Sequence, residues 1–259
     1  MKKGIIVASF GTTYNETRIK CIEAIENRIM EEFSDSIVIR AFTSGTVISK
    51  LKKRDNYHVN TLTEALAKLK QLGIKDSCIQ PLLIIEGAEY EKIIRGARDF
   101  IKENPDCNIV IGKPLLSSDL DYERVVEGLD LSTRTDSTVF MGHGSDHKSD
   151  ISYEKLENTL REKGYEDVFI GTVEGEKTIE DIVDKLKEKK IKRVLLKPFM
   201  LVAGDHATND MASDEDDSWK SILNKNGIDT AAEIKGLGQY KAIQDIFIDH
   251  LKDIYYEGK

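Results

Sequence analysis

The stretch RVLLKPFMLVAGDHATNDMASDEDDSW, residues 193–219, decides the predicted fold of this chain. Its apolar run from Val194 to Val202 is interrupted only by a Lys-Pro pair, which is typical of a strand buried inside a sheet. The run ends in Ala-Gly and is followed by His206 and a polar loop. The sequence therefore predicts a histidine at the carboxyl end of a core strand, which is where open α/β sheets bind ligands.

Strand and helix patterns alternate along the rest of the chain. Strands are predicted at residues 4–9, 36–42, 77–85, 108–111, 137–141, 167–172 and 193–202, and more weakly at 230–234. Apolar residues recur at helical spacing in residues 16–33, 62–72, 90–101, 153–163, 178–189, 219–224 and 240–256. This alternation predicts an α/β protein with parallel sheets built from βαβ units. The polar segment 117–134 is predicted to be a linker.

The two halves of the chain resemble each other. QPLLIIEGAEY (residues 80–90) aligns without gaps with KPFMLVAGDHA (197–207), which places Glu89 opposite His206. In the same order, ASFGT (8–12) matches MGHGS (141–145) and AFTSG (41–45) matches GTVEG (171–175). These matches predict an internal duplication, with domains at 1–125 and 126–259 and an active-site cleft between them. The sequence leaves open on which domain the helix within 240–259 packs.

Three residues of the second half are predicted to form a metal site. His143, Glu174 and His206 each follow a different predicted strand, and the carboxyl ends of parallel neighbours lie about 5 Å apart. Two imidazoles and one carboxylate suit cobalt, nickel, iron or zinc better than magnesium or calcium. Each histidine alone is more simply interpreted as a structural residue beside a glycine turn. The three together favour a site, although the same ligands also describe a metal-dependent hydrolase.

Composition and motifs argue against several classes of function. The net charge of −8 makes a nucleic-acid partner unexpected. No apolar stretch approaches the roughly 20 residues of a membrane span, and the short apolar start MKKGIIVASFGTT does not resemble a signal peptide, so a cytoplasmic location is expected. No glycine-rich phosphate-binding motif lies at a strand–helix junction, so no nucleotide cofactor is expected. The sequence leaves the oligomeric state open.

Several motifs resemble those of a known family, the anaerobic sirohydrochlorin cobalt chelatases of the CbiK type in the class II chelatases. They are SFGTTYNET, IRAFTSGTVISKLKKRD, EGAEYEKI, KPLLSSDLDY, VFMGHGS, VEG and FMLVAGDHATNDMASDEDDSWK. The resemblance implies two flavodoxin-like, Rossmann-like domains around a cleft that takes a flat tetrapyrrole. It also implies that His143 and His206 are active-site histidines, that Glu174 contacts the metal, and that Glu89 lies across the cleft as a further catalytic residue.

The function implied by this resemblance is that of a lyase. The chain would insert Co²⁺, as a substrate, into sirohydrochlorin or precorrin-2 during anaerobic cobalamin biosynthesis, without ATP. Ser9, Phe10, Thr12, Ser44 and Arg54 are expected to contact the tetrapyrrole. Arg54 ends a basic run with Lys50, Lys52 and Lys53 that is suited to the substrate's carboxylates. Insertion of iron or nickel remains open, as does a non-catalytic carrier of tetrapyrrole or metal.

Overall fold

The computed structural model describes residues 2–129, 131 and 136–256. Its contacts divide the chain into two compact units: the first unit comprises Met1–Ser117 with Lys241–Lys259, and the second unit comprises Ser118–Tyr240. Each unit contains one sheet of four strands, and every strand pair in both sheets is parallel. The predicted α/β class with two parallel sheets is therefore confirmed.

The first unit alternates strands and helices around one sheet. Its strands are β1 (Gly4–Ser9), β2 (Ile37–Phe42), β3 (Asp76–Pro81) and β4 (Asn108–Ile111), in the order β2-β1-β3-β4. Its helices begin with α1 (Asn15–Thr17), which runs through a π-helical stretch, Arg18–Glu23, into α2 (Ala24–Glu32), and continue with α3 (Gly45–Asp55), α4 (Leu62–Gln71) and α5 (Ala88–Glu103). Every residue of β1 is buried, as expected for the central strand of a sheet covered on both faces.

The second unit repeats this arrangement. Its strands are β5 (Ser137–Gly142), β6 (Val168–Thr172), β7 (Arg193–Phe199) and β8 (Asp229–Ala232), in the order β6-β5-β7-β8. Its helices are α6 (Asp119–Gly128), α7 (Ile151–Glu162), α8 (Ile179–Glu188) and α9 (Trp219–Lys225). The last helix, α10 (Lys241–Tyr256), returns to the first unit.

Backbone hydrogen bonds support the predicted duplication. In the second unit the amide of Glu174 donates to the carbonyl of His143 at 2.8 Å. In the first unit the amide of Ser44 donates to the carbonyl of Phe10 at 3.3 Å. These are the residues that the sequence alignment sets opposite each other. The two units therefore share strand order and also the way in which the loops after their first two strands are joined.

Two segments differ from the sequence-based expectation. The predicted linker 117–134 contains α6, which begins in a capping box where Ser118 and Asp121 bind each other's backbone amides. Residues 130 and 132–134 of that segment lie outside the described residues. The contact division after Ser117 therefore falls earlier than the predicted division after residue 125, since α6 packs against α7. Serine and aspartate favour loops as well as caps, which is why composition alone suggested a linker.

The second difference concerns the segment around His206. The strand β7 ends at Phe199, before the predicted end at residue 202. Residues 205–211 then form a short helical turn, with a π-helical part at Ala207–Met211, where the sequence suggested a loop. Ala207 and Met211 are buried in the core of the second unit, so burial of their apolar side chains stabilises the turn. The polar composition of the segment gives no indication of this turn.

The strand order of the second unit predicts where a ligand would bind. The chain passes from β5 to β6 on one side and returns to β7 on the other side of β5. This reversal creates a crevice outside the carboxyl ends of β5 and β7, the usual ligand position in open α/β sheets. Among the helices described here, none is long and apolar enough to span a membrane.

Candidate metal centre

The three predicted ligands meet at the carboxyl edge of the second sheet. His143 directly follows β5, Glu174 follows β6 and His206 follows β7. One potential ligand atom from each side chain lies within 4.8 Å of the other two. The two imidazole rings are nearly perpendicular, with centroids 4.9 Å apart. Residues far apart in sequence therefore converge at the crevice, in a spacing that a single ion can bridge.

The three side chains remain accessible to solvent. The exposed side-chain fractions are 46% for His143, 59% for Glu174 and 34% for His206. A structural metal site usually encloses its ion in a complete set of protein ligands, whereas a site that exchanges ligands keeps open positions. Three convergent and accessible donors therefore suit an ion that arrives from solution and is passed on.

Asp210 fixes the orientation of His206. Its Oδ2 lies 2.5 Å from Nδ1 of His206, four residues away on the same helical turn. In the tautomer that donates Nδ1–H to this carboxylate, the lone pair of His206 is on Nε2 and is available to an ion. A carboxylate behind a metal-binding imidazole holds the ring in place and increases its basicity.

His143 has a comparable arrangement with a backbone partner. Its Nδ1 lies 3.0 Å from the carbonyl oxygen of Gly144 and 3.7 Å from Oε2 of Glu174. If Nδ1–H donates to that carbonyl, Nε2 is again the atom available to an ion. Glu174 supplies a negative charge beside the ring, which offsets part of the charge of a divalent cation.

Glycine is required where the two ligand loops touch, that is, the loop after β5 that carries His143 and the loop after β6 that carries Glu174. Gly144 has φ +78°, a left-handed conformation that L side chains rarely adopt, and a Cβ there would lie 2.4 Å from the backbone nitrogen of Gly175. A Cβ on Gly175 would lie 2.6 Å from both carboxylate oxygens of Asp150. The glycines beside the ligands therefore permit close packing of the loops and explain the glycines that flank His143 and Glu174 in sequence.

The predicted tetrapyrrole contacts of the first unit follow β1. Ser9 is buried, and its Oγ has no hydrogen-bond partner in the described part of the chain. Phe10 is 47% exposed, which is unusual for a phenyl ring and leaves it available for an apolar contact. Thr12 is buried and its Oγ1 accepts a hydrogen bond from the amide of Tyr14 at 3.2 Å. The hydroxyl of Thr12 therefore already has a structural role in this loop.

Ser44 and Arg54 lie at opposite ends of α3. Ser44 is the N-cap of this helix, where its hydroxyl accepts from the amide of Val47 at 3.3 Å. Arg54 is exposed and forms an ion pair with Asp55 at 2.7 Å, and it also donates to the carbonyl of Thr13 at 2.5 Å. The basic side chains of Lys50, Lys52 and Lys53 are exposed on the same helix. Contact with a substrate carboxylate would require Arg54 to exchange one of these partners.

Glu89 occupies the first turn of α5. One carboxylate oxygen pairs with Lys92, whereas Oε2 is buried with no hydrogen-bond partner among the described residues. A buried carboxylate oxygen without a donor is energetically unfavourable, so such an atom commonly indicates a functional position. The helix N-terminus partly compensates for this charge.

Asp210 and Asp150 contact the candidate ligands or their loops, and neither was predicted from the sequence. Asp210 lies within the quoted AGDHATND motif, and its spacing of four residues from His206 is the signal that would have found it. Asp150 accepts hydrogen bonds from two loop amides, those of Ser145 and Glu176. No sequence pattern indicates that contact, because it depends on how two loops from different strands pack.

A family model described as cobalt chelatase (CbiK) matches residues 3–256. The sirohydrochlorin cobaltochelatase of Salmonella typhimurium strain LT2 is 40% identical over 255 residues, covering 97% of this chain and 96% of that protein. The sirohydrochlorin cobaltochelatase CbiKC of Nitratidesulfovibrio vulgaris strain Hildenborough is 33% identical over 259 residues, covering 96% and 89%.

Solved structures resemble the fold at lower sequence identity. SirB from Bacillus subtilis with Fe³⁺ superposes with a TM-score of 0.67 at 15% identity, covering 98% of this chain and 95% of that one. The sirohydrochlorin chelatase SirB from Bacillus subtilis subspecies spizizenii in complex with cobalt gives 0.66 at 15% identity, with the same coverage. These structures confirm the chelatase fold. With the family match over nearly its whole length, the chain belongs to the cobalt chelatase (CbiK) family.

Proposed function

We propose that this chain is a sirohydrochlorin cobaltochelatase, a lyase that inserts Co²⁺ into sirohydrochlorin. The observation that carries the proposal is the convergence of His143, Glu174 and His206 within 4.8 Å at the carboxyl edge of the second sheet. The two relatives, at 40% and 33% identity over almost the whole chain, bear the name of this activity.

The proposed metal-holding step uses the second unit. The two imidazoles bind the incoming ion and replace part of its water shell, while the Glu174 carboxylate lowers its net charge. Nitrogen and carboxylate donors suit a borderline ion such as Co²⁺. Because three protein groups leave coordination positions open, the pyrrole nitrogens can enter the ion's coordination sphere before the histidines leave it.

The proposed proton transfer follows from the chemistry of the ring. Two pyrrole nitrogens lose their protons when a divalent metal enters, so two protons must reach acceptors. A histidine that releases the metal regains a basic nitrogen and can accept one of them near neutral pH. Glu89, with its unpartnered carboxylate oxygen, is the proposed second acceptor.

The proposed substrate contacts come from the first unit. The exposed Phe10 ring offers an apolar face to the flat macrocycle. The buried hydroxyl of Ser9, which has no hydrogen-bond partner among the described residues, is proposed to bind a polar group of the substrate. Arg54 is the proposed partner for a peripheral carboxylate, because guanidinium groups bind carboxylates in a two-point geometry. Thr12 and Ser44 are proposed to shape these loops and to contact the ring through their backbones.

Direct measurement of insertion tests the proposal. Sirohydrochlorin and Co²⁺ are mixed with catalytic amounts of protein, and the change in tetrapyrrole absorption is followed. We expect many product molecules per protein, and loss of insertion in His206→Ala without loss of the fold. His58→Ala, at an exposed histidine of the first unit, is the matched control and is expected to retain activity. Full activity in His206→Ala would refute the site, and product limited to one per protein would indicate a carrier.

A competition between metals tests the cobalt assignment. Nitrogen and oxygen sites generally bind divalent ions in the order Fe²⁺, Co²⁺, Ni²⁺, so these three ligands alone would favour nickel over cobalt. At equal free concentrations of the three ions we nevertheless expect the cobalt product to dominate, because insertion also requires rapid release from the histidines. A dominant iron or nickel product would contradict the cobalt assignment and leave the chelatase assignment intact.

A further inference from the structure

The carboxylate of Asp150 binds loop amides. Asp150 ends a 3₁₀ turn, Lys148–Asp150, that continues directly into α7, and its side chain caps no amide of that helix. Oδ1 instead accepts the amide N–H of Ser145 at 3.0 Å, and Oδ2 accepts the amide N–H of Glu176 at 3.1 Å.

These two amides have equivalent positions in the two ligand loops. Ser145 lies two residues after His143, and Glu176 lies two residues after Glu174. One carboxylate therefore joins the loop that carries the first ligand to the loop that carries the second. The loops are joined directly as well, by the 2.8 Å hydrogen bond from the amide of Glu174 to the carbonyl of His143.

The surroundings of Asp150 are shaped for this contact. A Cβ on Gly175 would lie 2.6 Å from each carboxylate oxygen, so glycine at that position is what admits the carboxylate. On the next turn, Tyr153 is buried beneath the His143 loop, where its hydroxyl accepts from the amide of Gly144 at 3.5 Å. The start of α7 therefore contacts the ligand loops through two side chains.

We propose that Asp150 is a positioning residue that fixes the distance between His143 and Glu174 before the metal arrives. The inference rests on the proposed function of these two residues as metal ligands. Groups that hold the ligands in place commonly change metal affinity by about 10–100-fold when they are removed. Both carboxylate oxygens are used, so neutralising the side chain is expected to release at least one loop.

Cobalt binding measured without tetrapyrrole tests this inference. The full chain is titrated with Co²⁺ in competition with a chromophoric chelator, and the visible ligand-field absorption of the bound ion is recorded. In Asp150→Ala we expect affinity to fall by about 10–100-fold and the absorption band to change, because one ligand is no longer held. Asp150→Asn keeps one acceptor and is expected to give an intermediate loss.

Asp146→Ala is the matched control, since it removes an exposed carboxylate from the same loop. Loss of an exposed charge alone is expected to change affinity by no more than about fivefold and to leave the band unchanged. Wild-type affinity and absorption in Asp150→Ala would overturn the inference, as would equal effects in Asp150→Ala and Asp146→Ala. If Asp150→Ala does not fold, as judged by circular dichroism, the same Co²⁺ titration is made with Asp150→Asn. Wild-type affinity and absorption in that variant would likewise overturn the inference. Unchanged Co²⁺ binding in His206→Ala would instead refute the metal site itself.

Discussion

Replacing Asp210 by alanine should weaken cobalt binding while leaving all three proposed ligands present. Its carboxylate lies 2.5 Å from Nδ1 of His206, and the opposite ring nitrogen is the one available to an ion. Without this partner the imidazole can rotate about its side-chain bonds and can place its proton on Nε2. Both changes reduce the fraction of protein in which His206 is ready to bind metal.

The expected magnitude follows from the exposure of the pair. A hydrogen bond to a charged group contributes about 1.5–3 kcal/mol. The side chains of His206 and Asp210 are 34% and 46% exposed, so water screens the interaction and the lower end of that range applies. Because about 1.4 kcal/mol corresponds to a factor of ten, Co²⁺ affinity should fall by about tenfold. Asp210→Asn retains a neutral acceptor and should lose less.

A chelator competition titration measures this change, with insertion followed in parallel by tetrapyrrole absorption. Asp214→Ala is the control, because that carboxylate is 94% exposed and pairs with Lys220. The control removes the same charge close by in sequence without touching His206. Wild-type Co²⁺ affinity in Asp210→Ala, or an equal loss in the control, would refute the argument that the carboxylate orients the histidine.

Three further results are expected. Gly144→Ala should abolish Co²⁺ binding and lower Tm, because the new Cβ would lie 2.4 Å from the backbone nitrogen of Gly175. Gly164→Ala is the control. Gly164 also has a positive φ but has open space around it, so this substitution should lower Tm without affecting Co²⁺ binding. Glu174→Gln should slow insertion and weaken Co²⁺ binding in the same titration, and an unchanged affinity would remove it from the ligand set. Burial raises the pKa of Tyr153 to about 12. Since the unfolded chain releases this proton near pH 10, folded stability should fall by about 1 kcal/mol more between pH 10 and 11 than in Tyr153→Phe, as measured by urea unfolding.

The sequence predicted the sheets because burial leaves a strong pattern in them. Most predicted strands agree with the structure within a residue or two at each end, since runs of β-branched and aromatic residues are enriched in strands. β7 and β3 are the exceptions. The apolar run of β7 continues to residue 202 but the strand ends at Phe199, and the run of β3 continues to residue 85 but that strand ends at Pro81. Leu82 remains buried beyond that point, so hydrophobicity reports burial there rather than strand conformation.

The candidate ligands could be predicted from the sequence, whereas the residues that support them could not. His143, Glu174 and His206 follow strands, and parallel strands bring their carboxyl ends to one edge whatever the details of packing. The contacts of Asp150 depend instead on the left-handed turn at Gly144 and on the path of the loop after β6. Neither leaves a periodic signal, so the candidate ligands could be predicted from the sequence and the group that joins their loops could not.

Duplication explains how one fold meets two different chemical demands. The hydrogen bond from Ser44 to Phe10 repeats the one from Glu174 to His143. The sequence alignment sets Glu89 opposite His206, so the two units have three corresponding positions after their strands. In the second unit these positions hold the proposed metal donors. In the first unit they hold an exposed phenyl ring, a helix cap and the carboxylate of Glu89, which together cannot form a histidine-based metal site. The proposed insertion requires an ion held by imidazole and carboxylate donors, and a flat ring that meets an apolar surface and a carboxylate able to accept a pyrrole proton. The residue differences between the two units correspond to this proposed division, because each unit carries residue types that suit one of the two reactants.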